Sequence, residues 1–458
     1  MPAWDRRTPQ QQAKVRDAAL QRQLRDRVAP FSPFWRERFG ALRVPATSIT
    51  TAADLTKLPA VGERDVCPTG DPRDAARLVL HADEAGFAMH AFGPDLRKAL
   101  VRRASGAERY RRQVEAEVRP TTYHFGGRAM RFPIASTRDD LEVVARAGNR
   151  AWQVLGLTNA DVLVSAVPPA ASLDHLFLTY AALGAGAPAL FPGSGPDAVD
   201  DALRLVAATV LAVRPSEALD VLNGVDTTSV RTVLLVGAAD PALREEVAAA
   251  APDATVLGLW GPDEHRVMWA QCRESAGSPA GWHTYPDIDH VELVDPETGE
   301  PATEGGELVL TQLGLAGSAL LRWRTGDVVD APIATDACPA CGRTVPRVPA
   351  EVRSSALHVE TSLREGPVTL DLRAVTGALA GRPDLADWMV ELAPSGRDGA
   401  SELFVYVAPT GDETDAAVGA YRDVRAAAGV RPSQVVVLLP EELAARRDTE
   451  ARRVVVRR

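Results

Sequence analysis

TVLLVGAADPALREEVAAAAPDATVLGLWG, residues 232–261, contains two apolar runs that end in glycine, TVLLVG at Gly237 and ATVLGLWG at Gly261. Such runs read as buried strands, and their carboxyl ends deliver loops to the edge where open α/β sheets bind ligands. Toward the amino terminus the alternation of helix and strand continues from about residue 140, through DDLEVVARAGNRAWQVLG, ADVLVSAVP, HLFLTYAALGAGA, APALFPG and DALRLVAATVLAV. The expected fold class is therefore α/β, with doubly wound sheets carrying helices on both faces. Toward the carboxyl terminus, HVELVDPETGEP and GGELVLTQL predict a β-rich subdomain closed by LLRWRTGDVV. LRAVTGALAG, WMVELAP, LFVYVAP, AYRDVRAAAG and QVVVLLP then predict a small α+β domain. The resulting division is a large domain over 1–350 and a small one over 351–458. Two helical segments complete the reading, an amphipathic one over 10–40 ending in SPFWRERFG and a charged covering segment over 72–119.

A chain of 458 residues is too long for one ordinary core. Its 46% apolar and 24% charged content are those of a soluble protein, and its net charge of -10 argues against nucleic acid as a partner. The opening MPAWDRRTPQQQAKVR has no apolar core of signal-peptide length, and no run approaches the roughly 18 apolar residues of a membrane span. A cytoplasmic protein whose partners are small molecules or other proteins is expected.

Six segments stand in a telling order: SPFWRERFG followed by DLTKLPAV, VRPSEALDVL, LLVGAADPALREEV, WGPDE at 260–264, VELVDPETGEPATEGGELVLT, and Arg322-Trp323-Arg324-Thr325-Gly326-Asp327. In that register they resemble the phenylacetate-coenzyme A ligase branch of the adenylate-forming (AMP-binding) superfamily. The resemblance implies that ATP and Mg²⁺ activate a carboxylic acid as an acyl-adenylate, which coenzyme A or a carrier-protein thiol then captures. It also implies roles for particular residues. Asp327, with Arg324 in the same motif, would hold the ribose, Glu264 the Mg²⁺, and Trp260 the adenine. Gly237 and Ala238 would form the Gly-rich turn, Gly261 and Asp263 would approach the α-phosphate, and His175 would line the acyl pocket. On composition alone Glu264 reads as a solvated residue, Asp327 as a turn aspartate and His175 as a satisfied core histidine. If the resemblance holds, residues 123–128, 237–240, 260–264 and 322–327 converge on one cleft.

The sequence departs from the resembled pattern where phosphate is handled. The helix start Thr137-Arg138-Asp139-Asp140-Leu141 is intact, but the hydroxyl-rich loop expected ahead of it reads Tyr123-His124-Phe125-Gly126-Gly127-Arg128-Ala129-Met130-Arg131-Phe132-Pro133. Gly126, Gly127 and Arg128 read either as a strand-connecting turn or as an anion-binding nest. Phe125 and Phe132 are expected to crowd a triphosphate. Asp263 replaces the expected hydroxyl and would repel phosphate. Glu450 occupies the place of the carboxyl-terminal lysine, with Arg452 and Arg453 as the nearest cations, and of the interdomain linker only Arg353 matches. Losing one such group removes about 3–4 kcal/mol of transition-state stabilisation, by analogy with deleting an oxyanion donor.

Cys338-Pro-Ala-Cys341-Gly has the spacing of a zinc knuckle, and Cys272 with His283 can complete a closed Cys₃His set. Reduced thiols beside unrelated residues are the alternative. Three functional readings follow. The first is a divergent ligase that binds a carboxylic acid or acyl thioester with impaired adenylation. The second is an ATP-independent acyl-transfer enzyme, and the third is an inactive binding or scaffold protein. The resemblance names Glu264, His175 and Arg353 as the residues nearest the chemistry.

Overall fold

Strands whose neighbouring residues are all apolar must be covered on both faces, because successive side chains point to opposite sides of a sheet. The central parallel strands run in the order Ala189–Leu190, Leu163–Ser165, Val210–Val213, Thr232–Val236 and Thr255–Trp260. Val210, Ala212, Leu234, Val236, Leu257 and Leu259 pack against helices Arg138–Val154 and Leu173–Ala185. Their alternates Leu211, Val213, Val233, Leu235 and Val256 pack against helices Pro196–Val206, Ala218–Leu222 and Pro241–Ala250. The two-sided winding expected from the sequence is thus realised residue by residue. Trp269–Ala270, Trp282–His283 and Arg347–Val348 extend the sheet in antiparallel fashion.

The computed structural model describes residues 3–69, 71–83, 86–87, 107–127, 131–277, 279–354, 358–364, 366–380, 382–395, 400–450 and 454–456. Two units divide the chain, one of Met1–Gly126 with Phe132–Val352 and one of Gly127–Arg131 with Arg353–Arg458. In the first, helix Arg138–Val154 starts at a capping box in which Thr137 Oγ1 accepts from the Asp140 N–H and the Asp140 carboxylate accepts from the Thr137 N–H. Gly148 on this helix and Gly184 on Leu173–Ala185 let the two backbones touch, since a Cβ at either would fall onto Ala181 or the Ala145 carbonyl. The β-rich subdomain pairs Asp289–Val294 with Gly306–Gln312 and the latter with Trp323–Val329, all antiparallel. A separate hairpin pairs Pro120–Gly126 with Phe132–Thr137.

Two helical expectations need correction. The segment over 10–40 is not one helix but Pro9–Gln23, a π turn at Leu24–Val28, Ala29–Phe31 and Pro33–Leu42. Pro33 lacks an N–H and so opens a new helix behind Ser32, whose Oγ caps the Trp35 N–H. Of the covering segment over 72–119, Pro72–Leu78 is a 3₁₀ helix and Ala107–Val118 an α-helix, while residues 88–106 lie outside the described residues.

The second unit is built on the antiparallel pair Leu385–Pro394 and Ser401–Pro409, flanked in parallel by Val454–Val456 and Gln434–Val437. Helices Leu372–Ala380 and Glu413–Ala428 cover one face through Val390, Leu392, Leu403, Val405 and Val407. Helix Pro440–Glu450 covers the other through Leu443 on Met389, Tyr406 and Ala408. Glu450 is the last residue of that helix, and Arg452 and Arg453 lie outside the described residues. No helix among the described residues is long and apolar enough to cross a membrane.

Candidate active site and metal centre

At the carboxyl ends of the parallel strands the loops meet through close backbone contacts. Gly126, at the end of the hairpin strand, lies so near Glu264 that a Cβ there would sit 3.1 Å from the Glu264 Cα. Two residues earlier on the same face, His124 donates from Nε2 to the Asp263 carbonyl at 3.0 Å. That ring is buried, and burial pushes its pKa down to about 4, so the imidazole is neutral. Gly237, at φ +135, packs against Pro215, where any Cβ would lie 3.1 Å from the proline Cδ. Arg214, next to that proline, bonds Asp174 at 2.8 Å across the strand ends. Burial works against its charge, but Asp174, Glu217 and Asp263 more than offset it and raise its pKa above the usual guanidinium value. Asp174 is its direct partner.

Beneath this cleft lies a buried lock. The Asp140 carboxylate accepts from the Gly317 N–H at 2.7 Å and from Arg266 Nη1 at 3.0 Å. Arg266 also donates to the Ala135 carbonyl at 2.9 Å, to Gln312 and to the Ser318 carbonyl. Its neighbour His265 accepts the Arg266 N–H on Nδ1 and donates from Nε2 to Asp289 at 3.2 Å. These bonds fix the 260–266 turn to the hairpin and to the 312–318 loop.

At the antiparallel edge of the large sheet, one ligand atom each from Cys272, His283, Cys338 and Cys341 lies within 4.8 Å of all the others. Cys272 Sγ is 3.9 Å from Cys338 Sγ, and Cys341 Sγ is 3.4 Å from His283 Nε2. Tetrahedral zinc with bonds of about 2.3 Å to sulfur and about 2.0 Å to nitrogen needs sulfurs about 3.8 Å apart and sulfur–nitrogen gaps of about 3.5 Å. The donor set fits. His283 Nδ1 faces the Ala270 carbonyl at 3.3 Å, an arrangement that puts the proton on Nδ1 and leaves the Nε2 lone pair toward the thiols. Hydrogen bonding from Cys272, with His283 and Arg343, holds the Cys341 thiol far below its ordinary range. Gly342, at φ +67, turns the knuckle so that its N–H reaches the Cys338 carbonyl at 2.7 Å. Arg343 pairs with Asp5 at 2.9 Å, which draws the amino-terminal residues over the knuckle.

No protein-family model and no curated protein matches this sequence. Solved structures do match it. 2-Hydroxyisobutyryl-CoA ligase in the postadenylation state, in complex with 2-HIB-AMP, matches with a TM-score of 0.67 at 18% identity, over 100% of this chain and 92% of that one. The same ligase in the thioesterification state with 2-HIB-AMP and CoA matches with a TM-score of 0.63, again at 18% identity over 100% and 92% of the two chains. The chain has the fold of an adenylate-forming ligase. At this identity the likeness concerns fold alone.

Within the ligase fold, the residues singled out from sequence have varied surroundings. Glu264 and Asp327 are buried, at 1% and 3% exposure. Gly126, Asp263 and Glu264 come together, and Gly261 packs against the Val267 carbonyl, while Ala238 is exposed. Trp260 is 6% exposed and its ring packs on Trp269 and Trp282 at 5.5 and 5.8 Å, so little of its face is offered to a purine. The Arg324 guanidinium is held by Glu307 and by the Pro296 carbonyl. His175 is half-buried against Phe191, with its Nδ1 lacking a hydrogen bond and burial lowering its pKa. Gly127 and Arg353 belong to the second unit, Arg353 opening the short strand Arg353–Ser354. Arg128 lies outside the described residues.

Neither phenylalanine behaves as expected. Phe132 is fully buried with its ring 5.7 Å from Trp323, and Phe125 is 39% exposed on the hairpin face opposite His124 and Gly126. Strand alternation, not the loop, decides where each ring goes. Sequence reasoning gave no role to Arg214 or Glu217, although both lie within VRPSEALDVL, nor to Asp174, which precedes His175.

Proposed function

We propose that this protein is a divergent acyl- or aryl-coenzyme A ligase homologue, of the phenylacetate-coenzyme A ligase branch, that binds a carboxylic acid or acyl thioester and adenylates poorly. The observations that carry this reading are the Asp174–Arg214 ion pair at 2.8 Å and the backbone contact that seats Asp263, a carboxylate where a hydroxyl is expected, beside His124 at the strand ends. Two unit charges 4 Å apart interact by about 4 kcal/mol at an effective dielectric near 20, so a carboxylate in place of a hydroxyl donor costs more than the lost hydrogen bond. Arg214 is already engaged by Asp174 and so offers a triphosphate less. In the resembled pattern, Glu450 stands in the sequence position of the lysine and lacks its positive charge. Asp327 and Glu264 remain candidates for ribose and Mg²⁺, with Gly126 closing onto Glu264.

A pre-activated acyl thioester needs none of the phosphate machinery. His175 favours this second reading, since burial keeps its imidazole neutral and its enclosed Nδ1 has no hydrogen-bond partner among the described residues, which leaves it for a group that enters there. Calorimetry with ATP, AMP and coenzyme A thioesters separates the two. Thioester binding without ATP binding supports acyl transfer, whereas tight ATP binding restores the ordinary ligase reading. Cys272, His283, Cys338 and Cys341 would hold one zinc ion, which closes a fourfold set and serves the fold rather than the chemistry. A small carboxylic acid or its thioester, with coenzyme A or a carrier protein as acceptor, is the partner this reading implies.

A further inference from the structure

Away from the strand ends, between helix Pro9–Gln23 and the β-rich subdomain, lies a cavity of about 380 Å³. Its walls are mainly apolar, formed by Pro9, Ala13, Val291, Ile333 and Pro346. Most polar side chains at its edge already have partners. Gln12 donates to the Trp4 carbonyl, Thr284 to the Pro346 carbonyl and Thr344 to the Asp5 carbonyl. Arg16 is different, because only its Nε is engaged, with Asp17 at 3.1 Å. Its terminal nitrogens have no hydrogen-bond partner among the described residues. The His290 ring likewise makes no hydrogen bond among them, Glu292 being 4.0 Å away. Burial, with the charges of Arg16 and Arg322, pushes its pKa down to about 3, so it presents a neutral N–H.

We propose that this cavity is a second ligand site, distinct from the strand-end cleft, for a small monocarboxylic acid with an apolar body. One fork-shaped cation with two idle nitrogens matches a carboxylate, and a neutral histidine adds a donor without adding charge. A phosphate dianion would bring more charge than one guanidinium already shared with Asp17 can offset beside a mostly apolar wall, and a ligand without an acceptor would leave its terminal nitrogens unused. The volume falls within the range of small-molecule pockets, about 300–1,000 Å³. One wall residue also links the cavity to the cleft. Asp289 lines it, and the same carboxylate holds His265, next to Glu264, and the Trp269 indole at 2.7 Å. The site does not depend on the proposed acyl chemistry.

Crystals of the whole chain soaked in 4-bromobenzoate test this directly, since anomalous scattering locates the bromine. The expected peak lies against Val291 and Ile333, with the carboxylate on Arg16. In solution, calorimetry with benzoate should show binding weakened by about tenfold or more in Arg16→Gln, the size of one charge-assisted hydrogen bond. Ile333→Trp, which fills the cavity, should abolish that binding, and Arg16→Lys, which keeps the charge without the fork, should retain only part of it. Benzyl alcohol, with the same ring and no charge, should bind weakly and alike to the unaltered protein and Arg16→Gln. Bromine found only at the strand ends or nowhere, or benzoate affinity unchanged in both Arg16→Gln and Ile333→Trp, overturns the proposal.

Discussion

The metal knuckle and the strand-end cleft belong to the same unit and treat charge in opposite ways. In the knuckle four donors converge within 4.8 Å, and each is of the type a soft cation requires. In the cleft the Arg214 guanidinium is already paired with Asp174, and Glu217 and Asp263 also favour its charge, where the resembled chemistry requires groups that attract phosphate. Yet the scaffold beneath the cleft is intact. Asp140 still caps its helix and still binds Arg266, and Gly126 still admits Glu264. Residues that build a fold and residues that perform its chemistry are therefore separable, and a complete fold is no warrant for a complete reaction.

The largest effect should come from the knuckle. Protein purified without added zinc should carry about one metal equivalent, and Cys338→Ser should lose it. Because metal binding is coupled to folding, with apparent values of about 10–16 kcal/mol in zinc-finger peptides, even a fraction of that lowers the melting temperature steeply, by about 2–4 °C per kcal/mol. Unchanged metal content and melting in Cys338→Ser would erase the contrast between the two regions. Next comes the lock under the cleft. Asp140→Ala strands the fully buried Arg266 charge and should cost about 3–5 kcal/mol in denaturant unfolding. Adding Arg266→Met should recover part of that loss, and no recovery would mean that packing, not charge, dominates there.

A pH series sharpens the picture of the cleft floor. His124 has its pKa lowered from 6.5 to about 4 because burial disfavours the charged ring. The unfolded chain then binds the proton more readily, so this contribution is full above pH 6.5 and shrinks as pH falls toward 4. Its upper size is about 3 kcal/mol, and His265 and His290 shift in the same direction. His124→Gln should flatten the stability curve over that window, and an unaltered slope would mean that the ring is not buried neutral. The smallest effect concerns the cleft itself. Asp263→Ser should strengthen ATP binding by about tenfold through removal of one like charge. Unchanged affinity would show that Asp263 does not face the nucleotide.

Much of this was legible in the sequence where one local rule decides the outcome. The non-alternating apolar runs at 232–236 and 255–260 required a two-sided sheet, and the Cys-Pro-Ala-Cys spacing required a tight turn with both thiols on one side. Where tertiary partners decide, the sequence alone could not show them. Arg324 looked like part of a nucleotide motif, yet Glu307 holds its guanidinium, and Trp260 looked like an adenine platform, yet Trp269 and Trp282 enclose it. Arg214 meets Asp174 at the start of helix Leu173–Ala185, and no spacing rule in one dimension brings residues 40 apart to one ion pair. Prolines at 30 and 33 were visible, but the amphipathic pattern over 10–40 overrode them in the reading and not in the protein.

The central claim is that an intact ligase fold here carries a cleft too acidic for ordinary adenylation. Pyrophosphate release measured with Mg²⁺, ATP and a panel of aliphatic and aromatic acids tests it most directly, with Glu450→Lys alongside. The unaltered protein should turn over far below the enzyme median of roughly 10 per second, with Glu450→Lys raising whatever rate remains. Turnover near that median by the unaltered protein would contradict the account, whatever the lysine variant does.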